Sequence, residues 1–399
     1  MVASDPRRNG ITEPVGAFGA EEYAARLRAV REAMDEQGMD ALLVAAPESI
    51  YYLVGLDHLG YFAVTLLVLP LEGQPLLIAR AMEAPTLRVQ APHCVHVGYE
   101  DLEDPGAATL SALGGLAPRP RRIGVERSTM NLPVDVWETI RGGLAEADWV
   151  DASQLVVGLR MVKSPRELEY VRRAAAISDR ALQRGLAVAG EGVSEREVAA
   201  VLSAELIAAG SEFPAIPPLV RSNPTLKLEH LTWSDRRLAR GDTLFLELSA
   251  SVARYHAPLS RLAYVGEAPA GLDAVTGHAL AGWEAIRGAL RPGVAAGDVY
   301  DAWQRAVNGS LGHARYRRHH CGYATGIGYP PTWSGAGAPV GLRPGQDLEL
   351  REGMVFHIFS WILGQEPVDY GVSDTVVVTA DGCEVLTATG REPTIVERS

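Results

Sequence analysis

Lysine is nearly missing from this 399-residue chain: Lys163 and Lys227 are the only two among 37 basic residues. That scarcity fits a GC-rich coding bias and carries no functional inference. Against 49 acidic residues the basic set leaves a formal net charge of −12, with no basic block. This argues against a nucleic-acid partner, whose binding draws on Lys and Arg neutralising phosphates. Cysteine is equally scarce. Cys94, Cys321 and Cys383 are odd in number, far apart and without CxxC or Cys/His spacing, so neither a disulfide framework nor a zinc site is indicated. Long apolar runs are absent too. None approaches the roughly 18 residues that span a bilayer, and Met1 to Pro14 is polar, unlike a secretory signal. A cytoplasmic protein that does not engage a membrane is expected.

What is present is a 47% apolar chain, long enough for two domains with full cores. Ala20 to Gln37 has helical periodicity. The apolar runs Ala41 to Ala46, Tyr61 to Leu69 and Pro75 to Ile78 read as strands. Arg122 to Val125 and Trp149 to Asp151 read as strands around a helical Pro133 to Ala145, an α/β alternation. A boundary near residue 155 divides an N-terminal α/β domain, 15–155, from a second domain, 156–399. That domain opens on Ser164-Pro165-Arg166-Glu167 and continues through Ser194-Glu195-Arg196-Glu197. Each places a Ser cap three residues before a Glu, the signature of a long helix start. Strands follow over Thr243 to Ala250 and Ala253 to Val265. Helices are expected near Leu272 to Leu290 and Asp298 to Leu311, then a Gly/Pro/aromatic loop region from Gly322 to Pro344. Met354 to Leu363 and Thr375 to Thr379 read as the last strands. Helix pairs followed by strands, twice over, indicate an α+β domain with an internal two-fold.

Several local strings stand in a telling order: Tyr51-Tyr52-Leu53-Val54-Gly55, Ile123-Gly124-Val125-Glu126, Lys163 to Glu169, Gly241-Asp242, Gly353-Met354-Val355-Phe356 and Asp374 to Thr379. With them, residues 20 to 390 resemble the creatinase, prolidase and aminopeptidase P family, whose catalytic domain is the pita-bread fold. The resemblance implies that fold, a creatinase-type N-terminal domain and a homodimer. Peptidases of the family hold two divalent metals with two Asp, one His and two Glu, and these activate a water. Here the matching positions are Glu247, Pro258, Thr325, Phe359 and Ser373. Pro and Phe bring no side-chain donor, so a two-metal cage is not expected, and no other cofactor is implied. Among metal-free members, the ectoine hydrolase subgroup resembles this chain more than creatinase does. Its Tyr-His-x-Pro-Leu-Ser-Arg segment matches Tyr255 to Arg261, and its Gly-Ile-Gly-Tyr-Pro-Pro-x-Trp loop matches Gly326 to Trp333.

Glu247 stands in the apolar strand Leu244-Phe245-Leu246-Glu247-Leu248, where an unpaired carboxylate is costly. It is a candidate nucleophile or general base; the plainer alternative is a buried ion pair with Arg261. His230 matches the family's acid/base histidine ahead of the central strand, against a default of an exposed or capping His. His256 and His357 each lie in an apolar run beside a lost metal position. They read equally as satisfied core histidines or as substrate contacts. Arg261 is expected to orient Glu247 or to clamp a substrate carboxylate. Tyr323, Thr325, Tyr329 and Trp333 occupy the loop that borders substrate in the family, where aromatics suit a compact ring or cation, unless they merely pack the loop. By resemblance, Asp57, His58 and Tyr61 approach the catalytic domain of a neighbouring subunit, with His58 and Tyr61 as substrate contacts. The adjacent His319 and His320 are assigned nothing.

These residues favour metal-independent hydrolysis of a non-peptide C–N bond in a small molecule, ectoine first, opening its cyclic amidine. A creatinase-like amidinohydrolase or related enzyme of secondary metabolism is a second reading. A catalytically inactive binding protein that kept the fold is a third.

Overall fold

Both Ser-x-x-Glu sequences begin helices. In each, the Ser side chain accepts the backbone N–H three residues on, while the Glu carboxylate accepts the Ser backbone N–H, so two otherwise orphaned donors are satisfied reciprocally. The computed structural model describes residues 16–335, 340–364 and 367–397. The polar start Met1 to Pro14 and part of the Gly-rich loop region, 336–339, lie outside the described residues. Two compact units divide between Arg160 and Met161, a few residues beyond the boundary read from sequence.

In the first unit, six strands form one sheet: β1 (Ala41–Val44), β2 (Leu66–Pro70), β3 (Leu76–Arg80), β4 (Val95–Tyr99), β5 (Arg122–Val125) and β6 (Asp148–Asp151), in the order β4-β3-β2-β1-β5-β6. Helices α1 (Ala20–Glu36), α2 (Pro47–Val54), α3 (Ala84–Gln90), α4 (Pro105–Gly114) and α5 (Val134–Gly143) alternate with them, and the short α6 (Leu155–Met161) closes the unit. The run Tyr61 to Leu69 is not one strand. Leu59–Phe62 is a single 3-10 turn and the strand begins only at Leu66. The family-like Tyr51 to Val54 is the end of α2, and Gly55 caps it at φ 78°, a left-handed conformation that glycine adopts without penalty.

The second unit sets α7 (Pro165–Val188) and α8 (Glu195–Ala208) before β7 (Leu219–Ser222), β8 (Thr243–Leu248), β9 (Ser251–Val252), β10 (Tyr255–His256) and β11 (Leu259–Val265). Then α9 (Leu272–Ala289) and α10 (Ala296–Leu311) precede β12 (Gly322–Ala324), β13 (Val355–Ile362), β14 (Tyr370–Val378), β15 (Cys383–Val385) and β16 (Thr394–Val396). The sheet runs β12-β13-β14-β11-β8-β7, with β15 and β16 attached to β14 and β11. Its core contains Trp283, Trp303, Phe356 and Tyr264, all nearly inaccessible. The expected strand over Ala253 to Val265 is broken. Ala253 (φ 49°) and Arg254 (φ 64°) turn the β9–β10 hairpin, and the Arg254 guanidinium bonds Glu212 at 2.8 Å and the Phe213 carbonyl at 3.1 Å. Among the described residues no helix is long and apolar enough to cross a membrane.

Register decides what the sheet presents. Residues directly opposite on neighbouring strands share a face, and along a strand every second residue does. One row across the sheet reads Leu219, Glu247, Ser260, Ser373, Phe359. Two residues along from that row, Arg221, Phe245 and Trp361 lie on one side and His357 on the other, with Tyr323 opposite His357. One face of a buried sheet therefore carries a carboxylate, a guanidinium, an imidazole and four aromatic rings.

Candidate active site

That face floors a cavity of about 560 Å³, within the size range of small-ligand sites. Glu247 is at its base, 7% exposed. Burial pushes its carboxyl up to about 7; the Arg221 charge opposes the rise and Glu229 adds to it. A carboxylic acid poised there exchanges its proton in the working range of an enzyme. The ion pair with Arg261 considered from the sequence does not form. Arg261 turns to the other side and bonds Asp374 at 2.8 Å.

His357 is the imidazole nearest to Glu247, Nε2 to Oε1 3.9 Å. Burial pushes it down to about 3, with the charges of His320 and Arg261 lowering it further, so it is neutral at pH 7 and the contact is not an ion pair. Its tautomer follows from a chain of donors. The Trp333 Nε1–H, which can only donate, gives its proton to the Tyr323 hydroxyl at 2.9 Å. Tyr323 then donates to His357 Nδ1 at 2.9 Å, which leaves the ring hydrogen on Nε2. Nε2–H donates to Ser373 Oγ at 2.7 Å, and Ser373 bonds Ser260 Oγ at 2.8 Å. The indole thus fixes His357 as a neutral donor facing the cavity floor. Tyr323→Phe would strand both the indole N–H and Nδ1. It is expected to lower the unfolding free energy by about 1–3 kcal/mol, read from urea denaturation at neutral pH.

The structure brings Glu247, His230, Tyr323, Trp333 and His357 to this one cavity. His230 is exposed at φ 60°, on the segment between β7 and β8. Six other candidates are placed elsewhere. The His256 ring is wholly buried, with Nδ1 donating to the Arg254 carbonyl at 2.9 Å and Nε2 accepting the Ala215 N–H at 3.0 Å. Both nitrogens are spent, which corrects a substrate-contact role to a core one. Arg261 is corrected likewise. Its five N–H groups meet the carbonyls of Gly390, Ser260, Ser373 and Thr389 and the Asp374 carboxylate, leaving none for substrate. Thr325 Oγ1 donates to the Trp333 carbonyl at 3.1 Å, and Tyr329 packs toward Arg254, so both shape the loop rather than line the cavity. His58 and Tyr61 belong to the first unit, where His58 Nδ1 is 3.6 Å from Glu83.

Sequence reasoning missed Arg221, Glu229, Arg318 and Trp361, and left His319 and His320 without a role; all line the cavity. His320 packs edge-on against Phe359 at 4.9 Å, and burial lowers its pKa to about 4.

The profile described as Metallopeptidase family M24 matches residues 169–380, and that of the Creatinase/Prolidase N-terminal domain matches 26–162. The chain belongs to metallopeptidase family M24. Its relatives include an ectoine hydrolase of Halomonas elongata, 28% identical over 92% of this chain and 96% of that protein. An uncharacterised hydrolase/peptidase of Sinorhizobium fredii is 30% identical over 94% and 97%. The crystal structure of dipeptidase PepE from Mycobacterium ulcerans superposes with TM-score 0.81 at 26% identity, covering 96% of this chain and all of that one. The two-domain pita-bread architecture is therefore that of M24 enzymes.

In this M24 chain the residues at the family's metal positions do not fit a two-metal centre. Glu247 alone offers a carboxylate. Pro258 presents its carbonyl, which accepts from Thr375 Oγ1 at 2.8 Å, Ser373 is bonded to His357 and Ser260, and Phe359 lies against Trp361 at 5.2 Å. Among the described residues no three His, Cys, Asp or Glu side chains come together as metal ligands.

Proposed function

We propose that this M24 hydrolase opens a small cyclic amidine, ectoine or a close analogue, by metal-independent hydrolysis of a C–N bond. The observation that carries the reading is Glu247: a desolvated carboxyl with pKa near 7, on the floor of an aromatic-lined cavity where the family's other carboxylates are gone. An amidinium ring is a compact, delocalised cation. It suits the carboxylate beneath it and the faces of Tyr323, Phe359 and Trp361 around it. The likeness to an ectoine hydrolase over nearly the whole chain supports the same substrate class.

In this scheme the ionised Glu247 adds to the amidine carbon, or draws the proton from a water that does. The tetrahedral carbon then expels one ring nitrogen, which leaves as an amine after taking up a proton. In the covalent route water next adds to the same carbon and the Glu247 O–C bond breaks, so in both routes water supplies the oxygen of the resulting amide. Neutral His357, with its Nε2–H given to Ser373, stands beside Glu247 without competing for the proton. His230, in contact with solvent, exchanges protons with the leaving nitrogen. Creatinase-like chemistry has less support. The positions of creatinase's guanidinium-binding carboxylates carry Ser260 and Ser373, whose hydroxyls bond each other. From family resemblance the reading also takes a homodimer acting in the cytoplasm.

Incubation with ectoine, followed by NMR, tests it. N-acetylated diaminobutyrate is the expected product. Turnover of Xaa-Pro dipeptides with ectoine left intact would refute the reading.

A further inference from the structure

The cavity contains two cations that this chemistry leaves unused. Arg221, in β7, has its guanidinium 4.4 Å from the Phe245 ring centroid and donates from Nη1 to the Leu228 carbonyl. Arg318, between α10 and β12, lies 5.0 Å over Trp361 with its side chain 14% exposed. Phe245 and Trp361 meet edge to face at 5.7 Å, so the guanidiniums flank a single aromatic pair on one wall. A guanidinium stays charged and presents five donors, and a buried donor without an acceptor is costly. In both arginines the buried Nε–H has no hydrogen-bond partner among the described residues.

One carboxylate already faces the pair, and only loosely. Glu229 Oε1 is 3.8 Å from Arg318 Nη2, beyond hydrogen-bond reach. Its charge also acts on Arg221, after the larger effect of Glu247. The Glu229 side chain is 50% exposed, next to His230 in the segment between β7 and β8. With Arg261 committed to Asp374 and backbone carbonyls, these are the arginines that line the cavity.

We propose that Arg221 and Arg318 form a carboxylate-binding subsite on the cavity wall, and that Glu229 is an internal competitor which the substrate's carboxylate displaces. The inference rests on the cyclic-amidine reading. A ligand with an amidinium over Glu247 and a carboxylate on the two guanidiniums is oriented by both ends, which sets the amidine carbon above the carboxylate. The same substrate carboxylate, by taking the place of Glu229, acts on the segment that carries His230.

The test is a pair of variants with opposite expected signs, read on ectoine and on the same ring without its carboxylate. Arg318→Met should raise KM for ectoine about 10-fold or more, and raise it more than it lowers kcat. Glu229→Gln should lower that KM severalfold. On the ring without a carboxylate, both variants should leave KM where it is in the wild type. Shifts of the same sign, or equal shifts on the two ligands, overturn the subsite. If the wild type does not turn over ectoine, the functional reading fails by itself and the subsite is read from calorimetric Kd values. Opposite shifts for ectoine then support it, and wild-type binding that is indifferent to the carboxylate overturns it.

Discussion

Glu247→Gln is expected to lower kcat by about 10² to 10⁴-fold while the protein stays folded. Gln has the shape of Glu and keeps a polar end for the cavity, but it can neither attack a carbon nor accept a proton from water. The stability of the variant provides a second, independent readout. In the folded protein the Glu247 carboxyl ionises near 7, against 4.5 for the exposed group. Folding therefore favours the protonated form, and the wild type is penalised wherever the unfolded chain has lost that proton. The penalty is absent below about pH 4.5. It grows through the interval and levels off above about 7 at roughly 3 kcal/mol. The variant should thus gain on the wild type in urea midpoint as pH rises across that window. Wild-type kcat/KM should rise over the same window and then flatten, because either role of Glu247 needs the ionised form.

Asp374→Ala is expected to destabilise the protein by about 3–5 kcal/mol, the cost of leaving buried charge uncompensated. Asp374 is fully inaccessible. It accepts from Arg261 Nη2 at 2.8 Å and Thr387 Oγ1 at 2.7 Å on one oxygen, and from Arg391 Nε at 2.7 Å on the other. Removing it strands Arg261 between β11 and β14, directly beside the Ser260–Ser373 contact that supports His357. Thermal and urea midpoints measure the loss. An effect below about 1 kcal/mol would place the pair among weak surface-type bridges instead.

These two residues also mark how far the sequence could be read. Asp374 belonged to a recognisable string, Glu247 was a lone carboxylate in an apolar strand, and the helix starts at Ser164 and Ser194 were written in four residues each. Local signals of this kind survive folding. What was not legible depended on partners distant in the chain. His256 and His357 looked alike, each an imidazole in an apolar run beside a lost metal position. Only the tertiary arrangement seats His256 between Arg254 and Ala215 in the core while setting His357, held by Tyr323 and Ser373, on the cavity beside Glu247. Arg261 looked available for substrate because its acceptors, the carbonyls of Thr389 and Gly390, come from the far end of the chain. Arg221 was hidden in a four-residue strand between Pro218 and Pro224, too short to show alternation. Arg318 and His320 sit in irregular backbone ahead of β12, where no periodicity tells which way a side chain points. The run Tyr61 to Leu69 failed differently, because continuous apolarity concealed a turn within it.

We propose an M24 fold that works through Glu247 without a metal. Ectoine turnover by protein dialysed exhaustively against a chelator, with and without added manganese or zinc, tests it most directly. The expected result is a kcat unchanged by chelation and unstimulated by either ion. Activity lost on chelation and restored by metal would contradict the account.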